Sequence, residues 1–154
     1  MLVVERMTTD PVTVSGETTV LEALDKINKH TLHHLPIVDE RDRLVGIISE
    51  KDLLRSKPEK QVAEVMTRDV VTVTEYTALE DAARVMADRT ISSLPVMRND
   101  KLVGIITETD LFRIFLELLG GREEGVRLTM LIPEEKGMLA SVTGEIAHMG
   151  GNII

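Results

Sequence analysis

Leu44-Val45-Gly46-Ile47-Ile48-Ser49-Glu50-Lys51-Asp52-Leu53 decides the reading of this chain, because it returns as Leu102-Val103-Gly104-Ile105-Ile106-Thr107-Glu108-Thr109-Asp110-Leu111. Each copy is an apolar, β-branched run that reads as a buried strand. Ser or Thr follows at once, then two residues, then Asp. That order marks a helix start, with the hydroxyl at the N-cap and the acid in the first turn. A strand feeding straight into a helix N-terminus sets free backbone N–H groups and a positive dipole end beside a hydroxyl and a carboxylate. The combination suits a nucleotide, phosphate toward the N–H groups and ribose hydroxyls toward the Asp.

Working outward, Met7-Thr8-Thr9-Asp10-Pro11-Val12-Thr13-Val14 matches Met66-Thr67-Arg68-Asp69-Val70-Val71-Thr72-Val73, and Leu35-Pro36-Ile37-Val38 matches Leu94-Pro95-Val96-Met97. The period is about 59 residues, and two copies argue for a pseudo-twofold pair, not an open array. The Leu-Val-Gly-Ile-Ile runs match one residue short, which places a deletion in the turn, Glu40-Arg41-Asp42 against Asn99-Asp100. Apolar spacing predicts amphipathic helices over Thr18 to His30 and Thr77 to Arg89, each opening on a Thr N-cap. Short extended pieces cover Pro11 to Val14 and Val70 to Val73. A hairpin joins each Leu-Pro segment to its Leu-Val-Gly-Ile-Ile strand, and second helices run from Lys51 to about Ser56 and from Thr109 to Leu119. Ser56-Lys57-Pro58-Glu59 links the copies, and Gly120-Gly121 stops the last helix.

Beyond Gly121 the pattern changes. Val126 to Ile132 alternates as a half-buried strand would, Pro133 to Gly137 is a loop, and Met138 to Met149 has helical spacing that Gly150-Gly151 ends. Asn152-Ile153-Ile154 reads as a strand just beginning, so the β-α-β unit is expected to be truncated.

The totals narrow the function. With 43% hydrophobic residues but only Tyr76, Phe112 and Phe115 aromatic, the core is aliphatic. A net charge of −8 without a basic patch argues against nucleic acid, and scarce aromatics remove stacking platforms. No cysteine is present, so disulfides and thiolate metal sites are out. No apolar run is long enough to span a bilayer and the N-terminus lacks signal-peptide form, so a soluble cytoplasmic protein is expected. No nucleophile elbow, P-loop or triad order is present, so no enzyme is expected.

These residues resemble a pair of cystathionine-β-synthase (CBS) domains, over Met1 to roughly Leu119. The tail, through Gly137-Met138-Leu139-Ala140 and Gly150-Gly151-Asn152-Ile153, resembles the first half of an ACT domain, with Lys136 where a proline is usual. The order is similar to bacterial CBS–ACT proteins of the acetoin-utilisation type. The resemblance implies an α+β fold of two β-α-β-β-α repeats related by a pseudo-twofold, residues 1–59 and 60–121, followed by the start of a ferredoxin-like ACT segment over 122–154. It implies a regulatory module that binds AMP, ADP, ATP or S-adenosylmethionine in the cleft between the repeats and forms homodimers. The rival reading is a structural dimerisation module that binds nothing.

Candidate ligand-binding residues follow. Asp52 and Asp110 are helix-cap acids that could also accept both ribose hydroxyls. Ser49 and Thr107 are N-caps first, and their hydroxyls could also reach a ribose or phosphate oxygen. By resemblance, Thr13 and Thr72 lie near the purine or the phosphates. His33 and His34, matched by Ser92 and Ser93, precede Leu-Pro, where the family contacts phosphate; a helix end where a His complements the dipole is the plainer alternative. A metal reading with His30 lacks acidic or Cys partners, and none is assigned. Ile37, Ile47, Val96 and Ile105 are core positions that could also wall the purine. The run Leu111 to Leu116 is too apolar to be freely exposed, and part of that helix is expected in an interface.

Overall fold

The two Leu-Val-Gly-Ile-Ile runs are central strands, each hydrogen-bonded on both sides. The computed structural model describes residues 1–119, 126, 128–151 and 153 and divides into two units, Met1–Arg113 and Ile114–Ile154. In the first repeat β2 (Val14–Ser15) leads through α1 (Val20–His30) to β3 (His34–Val38), β4 (Leu44–Ser49) and α2 (Glu50–Leu54). In the second, β5 (Val73–Thr74) leads through α3 (Leu79–Arg89) to β6 (Ser93–Arg98), β7 (Lys101–Thr107) and α4 (Glu108–Leu118). Strands β2 and β3 run parallel, as do β5 and β6, as a helical crossover requires. The hairpin strands are antiparallel, with Pro36 opposite Ile47 and Pro95 opposite Ile105.

The repeats exchange their first segments. Strand β1 (Thr8–Thr9), which opens the first repeat, pairs with β7 of the second, Thr8 opposite Ile105. Reciprocally, Thr67 pairs with Ile47 of β4, N–H to O at 2.9 and 3.0 Å. The four-stranded order is therefore β1-β7-β6-β5, and the three-stranded sheet β2-β3-β4 is extended by the Thr67 bridge. This reciprocity is what a pseudo-twofold pair demands. The single glycines of the repeated runs permit it. A Cβ at Gly104 would stand 3.0 Å from the Thr8 carbonyl oxygen, and one at Gly46 3.1 Å from that of Thr67. Val62, in a 3₁₀ turn after the link, completes the first repeat's core of Val14, Val20, Ala23, Ile27, Leu35, Ile37, Ile48 and Leu53.

Local chemistry sets the element ends. Thr19, not Thr18, caps α1, accepting from the Glu22 N–H at 3.3 Å while the Glu22 carboxylate accepts from the Thr19 N–H at 2.8 Å. At the matching place α3 has Ala78 and no side-chain cap. Thr77 serves the preceding turn instead, its hydroxyl accepting from the Thr74 N–H at 3.1 Å. The helix after Ser49 begins at Glu50 and that after Thr107 at Glu108, one residue earlier than the spacing suggested. The deleted residue does lie in the hairpin turn. Asn99 and Asp100 form a tight left-handed turn at φ 47° and 63°, while the longer first turn is held by Asp39, which accepts from the Arg41 and Arg43 N–H groups at 2.9 Å.

In the second unit, α5 (Met138–His148) lies between Gly137 and Gly150, both left-handed at φ 85° and 84°. Residues 128–132 are not a strand. Alternation alone makes no ladder, and among the described residues no segment pairs with them. Gly120, Gly121, Arg127, Asn152 and Ile154 lie outside the described residues. Among the described residues no helix is long and apolar enough to cross a membrane.

Candidate functional site

A cavity of about 290 Å³ opens where the exchanged segment crosses the first repeat. From the first repeat come His34 at the start of β3, Ile47 and Ser49 of β4, and Asp52 of α2. The crossing segment brings Thr67, Asp69, Val70 and Val71. The second repeat closes the wall with Thr90 to Ser92, the turn between α3 and β6, and Ser93, the first residue of β6. Thr90 sits there at φ 53°, a left-handed conformation unusual for a β-branched residue, and Thr31 repeats it at the end of α1. The volume is at the small end of the range for small-molecule sites.

Asp52 is tied to its helix start. Its Oδ2 accepts from the Ser49 hydroxyl at 2.5 Å, and the Ser49 Oγ accepts from the Asp52 N–H at 3.2 Å. Both cap bonds go to Oδ2, and among the described residues no protein donor reaches Oδ1. The same box holds Thr107 and Asp110, at 2.7 Å between Oγ1 and Oδ2, with Arg113 3.7 Å from the other carboxylate oxygen. His34 Nε2 lies 3.3 Å from the Ser92 hydroxyl, a contact between the repeats. Burial pushes the His34 imidazole below its ordinary range, helped by neighbouring His33 and opposed by Asp52 and Glu108.

Of the sequence-predicted residues, the cavity gathers His34, Ser49, Asp52 and Ser93, together with Ile47. Ile37 and Val96 are core residues, both 0% exposed and enclosed in their sheets, outside the cavity's lining. His33 points elsewhere, its Nδ1 3.0 Å from Glu50 Oε2 with the ring 74% exposed. Thr72 is one residue past the lining, and Thr13 offers its carbonyl to the Lys26 ammonium at 3.0 Å. The two-fold relation carries Ile47, Ser49, Asp52, Thr67 and Asp69 onto Ile105, Thr107, Asp110, Thr8 and Asp10, the equivalent positions around the other crossing. Sequence reasoning missed Thr67, Asp69 and the Thr90–Ser92 turn as site residues. The signal was the doubled Met-Thr-x-Asp, legible as a repeat but not as a wall. Among the described residues no His, Asp and Glu cluster of three could hold a metal ion.

Residues 3–59 and 62–117 match the CBS domain family. The L-aspartate semialdehyde sulfurtransferase of Methanocaldococcus jannaschii is 36% identical over 117 residues, 74% of this chain but 23% of that protein. The chain thus spans about a quarter of that relative's length. Among solved structures, the CBS domain pair of protein MJ0100 in complex with 5′-methylthioadenosine and S-adenosyl-L-methionine aligns with a TM-score of 0.72 at 35% identity, over 80% of this chain and 98% of that one. A putative acetoin utilization protein from Vibrio cholerae aligns at 0.73 and 34%, over 82% and 98%. The CBSX2 complex with AMP aligns at 0.70 and 30%, over 77% and 98%. The chain belongs to the CBS domain family and carries the family's tandem pair.

Proposed function

We propose that this CBS pair is a regulatory module that senses an adenosine-containing ligand, AMP, ADP, ATP or S-adenosylmethionine, in the cavity between its repeats. The observation that carries the reading is the convergence of both repeats and the exchanged segment on one cavity beside the capped Ser49–Asp52 helix start. Similar pairs hold 5′-methylthioadenosine, S-adenosyl-L-methionine and AMP. Asp52 Oδ1 would take the ribose hydroxyls, Ile47 and Val71 would flank the base, and Ser92, Ser93 and His34 would meet what hangs from the 5′ carbon. The reading gives no residue a catalytic role.

A ligand touching both repeats favours whichever arrangement it binds more tightly, and only by that difference. The partner proposed for α4 is a second copy of the chain, since Phe112, Phe115 and Leu118 are 63%, 54% and 70% exposed. The stretch around α5, bracketed by Gly137 and Gly150, is read as the ACT-like part. Calorimetric titration and thermal shift with AMP and S-adenosylmethionine test the sensor. A ligand at about 100 times its Kd should add about 2.7 kcal/mol of stability. Binding by neither, with a dimer in sedimentation, leaves the structural dimerisation module.

A further inference from the structure

The described lining of the cavity contains two carboxylates, Asp52 and Asp69, and neither lysine nor arginine. The nearest candidate cation in the crossing segment, Arg68, is turned away, its guanidinium donating to the Ala63 carbonyl at 2.7 Å. His34 is the lining's one other titratable side chain, and burial keeps it toward its neutral form. Asp52 has its cap to hold; Asp69 is exposed, and no protein donor reaches it among the described residues. A sphere of this cavity's volume is about 8 Å across, no wider than one Debye length at physiological salt. Any group inside is therefore within unscreened reach of both carboxylates. The chain's net charge of −8 acts in the same direction at longer range.

Resting on the adenosyl reading of this cavity, we infer that the site selects an adenosyl ligand with a cationic centre on its 5′ substituent, a sulfonium nucleoside, over one with a phosphate. Asp69 supplies the negative charge that draws the cation and repels the phosphate. Asp52 is left for the ribose, and the Ser92 and Ser93 hydroxyls serve polar groups of either kind without adding charge.

Three probes separate charge from shape: S-adenosylmethionine, uncharged 5′-methylthioadenosine, and AMP, each titrated calorimetrically into the full chain. S-adenosylmethionine should bind at least about tenfold more tightly than AMP, the spacing that one well-placed charge gives. Asp69→Asn should weaken S-adenosylmethionine, strengthen AMP and leave 5′-methylthioadenosine within about twofold. Movement in opposite directions cannot come from a misfolded variant. Raising salt on the unmodified chain gives the same contrast without mutation, weakening the cation and helping the anion. Lower pH is a third arm. His34 faces Asp52 of α2, Glu108 of α4, its neighbour His33 and the Ser92 hydroxyl, and protonating it should weaken the sulfonium and favour AMP. AMP binding as tightly as S-adenosylmethionine, or Asp69→Asn shifting both alike, overturns the charge selection and leaves the adenosyl site standing. Binding by none of the three overturns the adenosyl site itself.

Discussion

Gly46→Ala tests the exchange on which the cavity is built. The added Cβ would meet the Met66 sulfur and stand 3.1 Å from the Thr67 carbonyl oxygen. The sulfur is the end of a flexible side chain and can move. The carbonyl cannot move freely, because it accepts from the Ile47 N–H at 3.0 Å while the Thr67 N–H donates back at 2.9 Å. Overpacking of this kind costs about 1–3 kcal/mol. Releasing the segment instead forfeits two backbone bonds at roughly 1 kcal/mol each, so both routes give about 2 kcal/mol. In a chain of this size that lowers the Tm by roughly 4–8 °C. Adding Met66→Ala should regain only the sulfur's share. Because Thr67 and Asp69 line the cavity, Gly46→Ala should also weaken ligand binding more than its stability loss explains. Urea denaturation with calorimetric titration reads both quantities. The matched control is Gly144→Ala, mid-helix in α5 with open space around it, which should gain about 0.5–1 kcal/mol of helix stability. A Gly46→Ala protein within about 0.5 kcal/mol of the parent, the scatter of ordinary surface substitutions, would refute the close-approach reasoning.

The remaining predictions concern caps and protons. Ala78→Thr should import the Thr19 cap and stabilise the chain by about 1 kcal/mol, and Thr19→Ala should lose about as much, both measured by urea midpoints. Asp39 is held at about 2, chiefly by the Arg43 guanidinium and the Arg43 N–H. The unfolded chain therefore takes up this proton first, and the stabilisation, complete above the ordinary carboxylate range, drains as pH falls toward 2; Asp39→Asn should flatten that part of the acid unfolding curve. His34 shifts the same way: with its folded pKa lowered, stability is full above the ordinary 6.5 and declines as pH falls through the folded value. His34→Gln should remove that slope from Tm measured across about pH 7.5 to 5.

What the sequence revealed depended on how many residues carried each signal. Helices α1 and α3 declared themselves because buried positions recur on one face, Val20, Ala23 and Ile27 in one and Leu79, Ala82 and Met86 in the other. The Ser49 and Thr107 helix starts were legible because a capping box is local chemistry within four residues. The exchanged strands were not. Thr8–Thr9 has two residues, and two residues have no periodicity. Only Gly46 and Gly104, lone glycines in branched runs, pointed to a close neighbour, and they could not name it. Ile37 and Val96 are core residues, but the sequence does not separate core from wall there, because a strand covered on both faces has the same apolar spelling as one that lines a cleft. Residues 128–132 were mistaken for a strand because alternation describes a face and says nothing of a pairing partner.

The exchange also explains how occupancy of one cavity could reach the whole pair. Thr67 to Val71 is bonded through Thr67 to β4 of the first repeat and continues by chain into β5 of the second. A ligand pressing on Asp69 or Val71 therefore acts on a segment that belongs to both sheets. The reciprocal segment, Thr8–Thr9 on β7, obeys the same geometry, so a shift at one crossing is matched at the other wherever the pseudo-twofold is kept. Coupling of this kind needs no separate relay; it needs the two crossing segments to be stiffer than the turns that flank them. The glycine contacts supply that stiffness, since a segment wedged against a strand with no room for one added carbon moves with that strand or leaves it altogether.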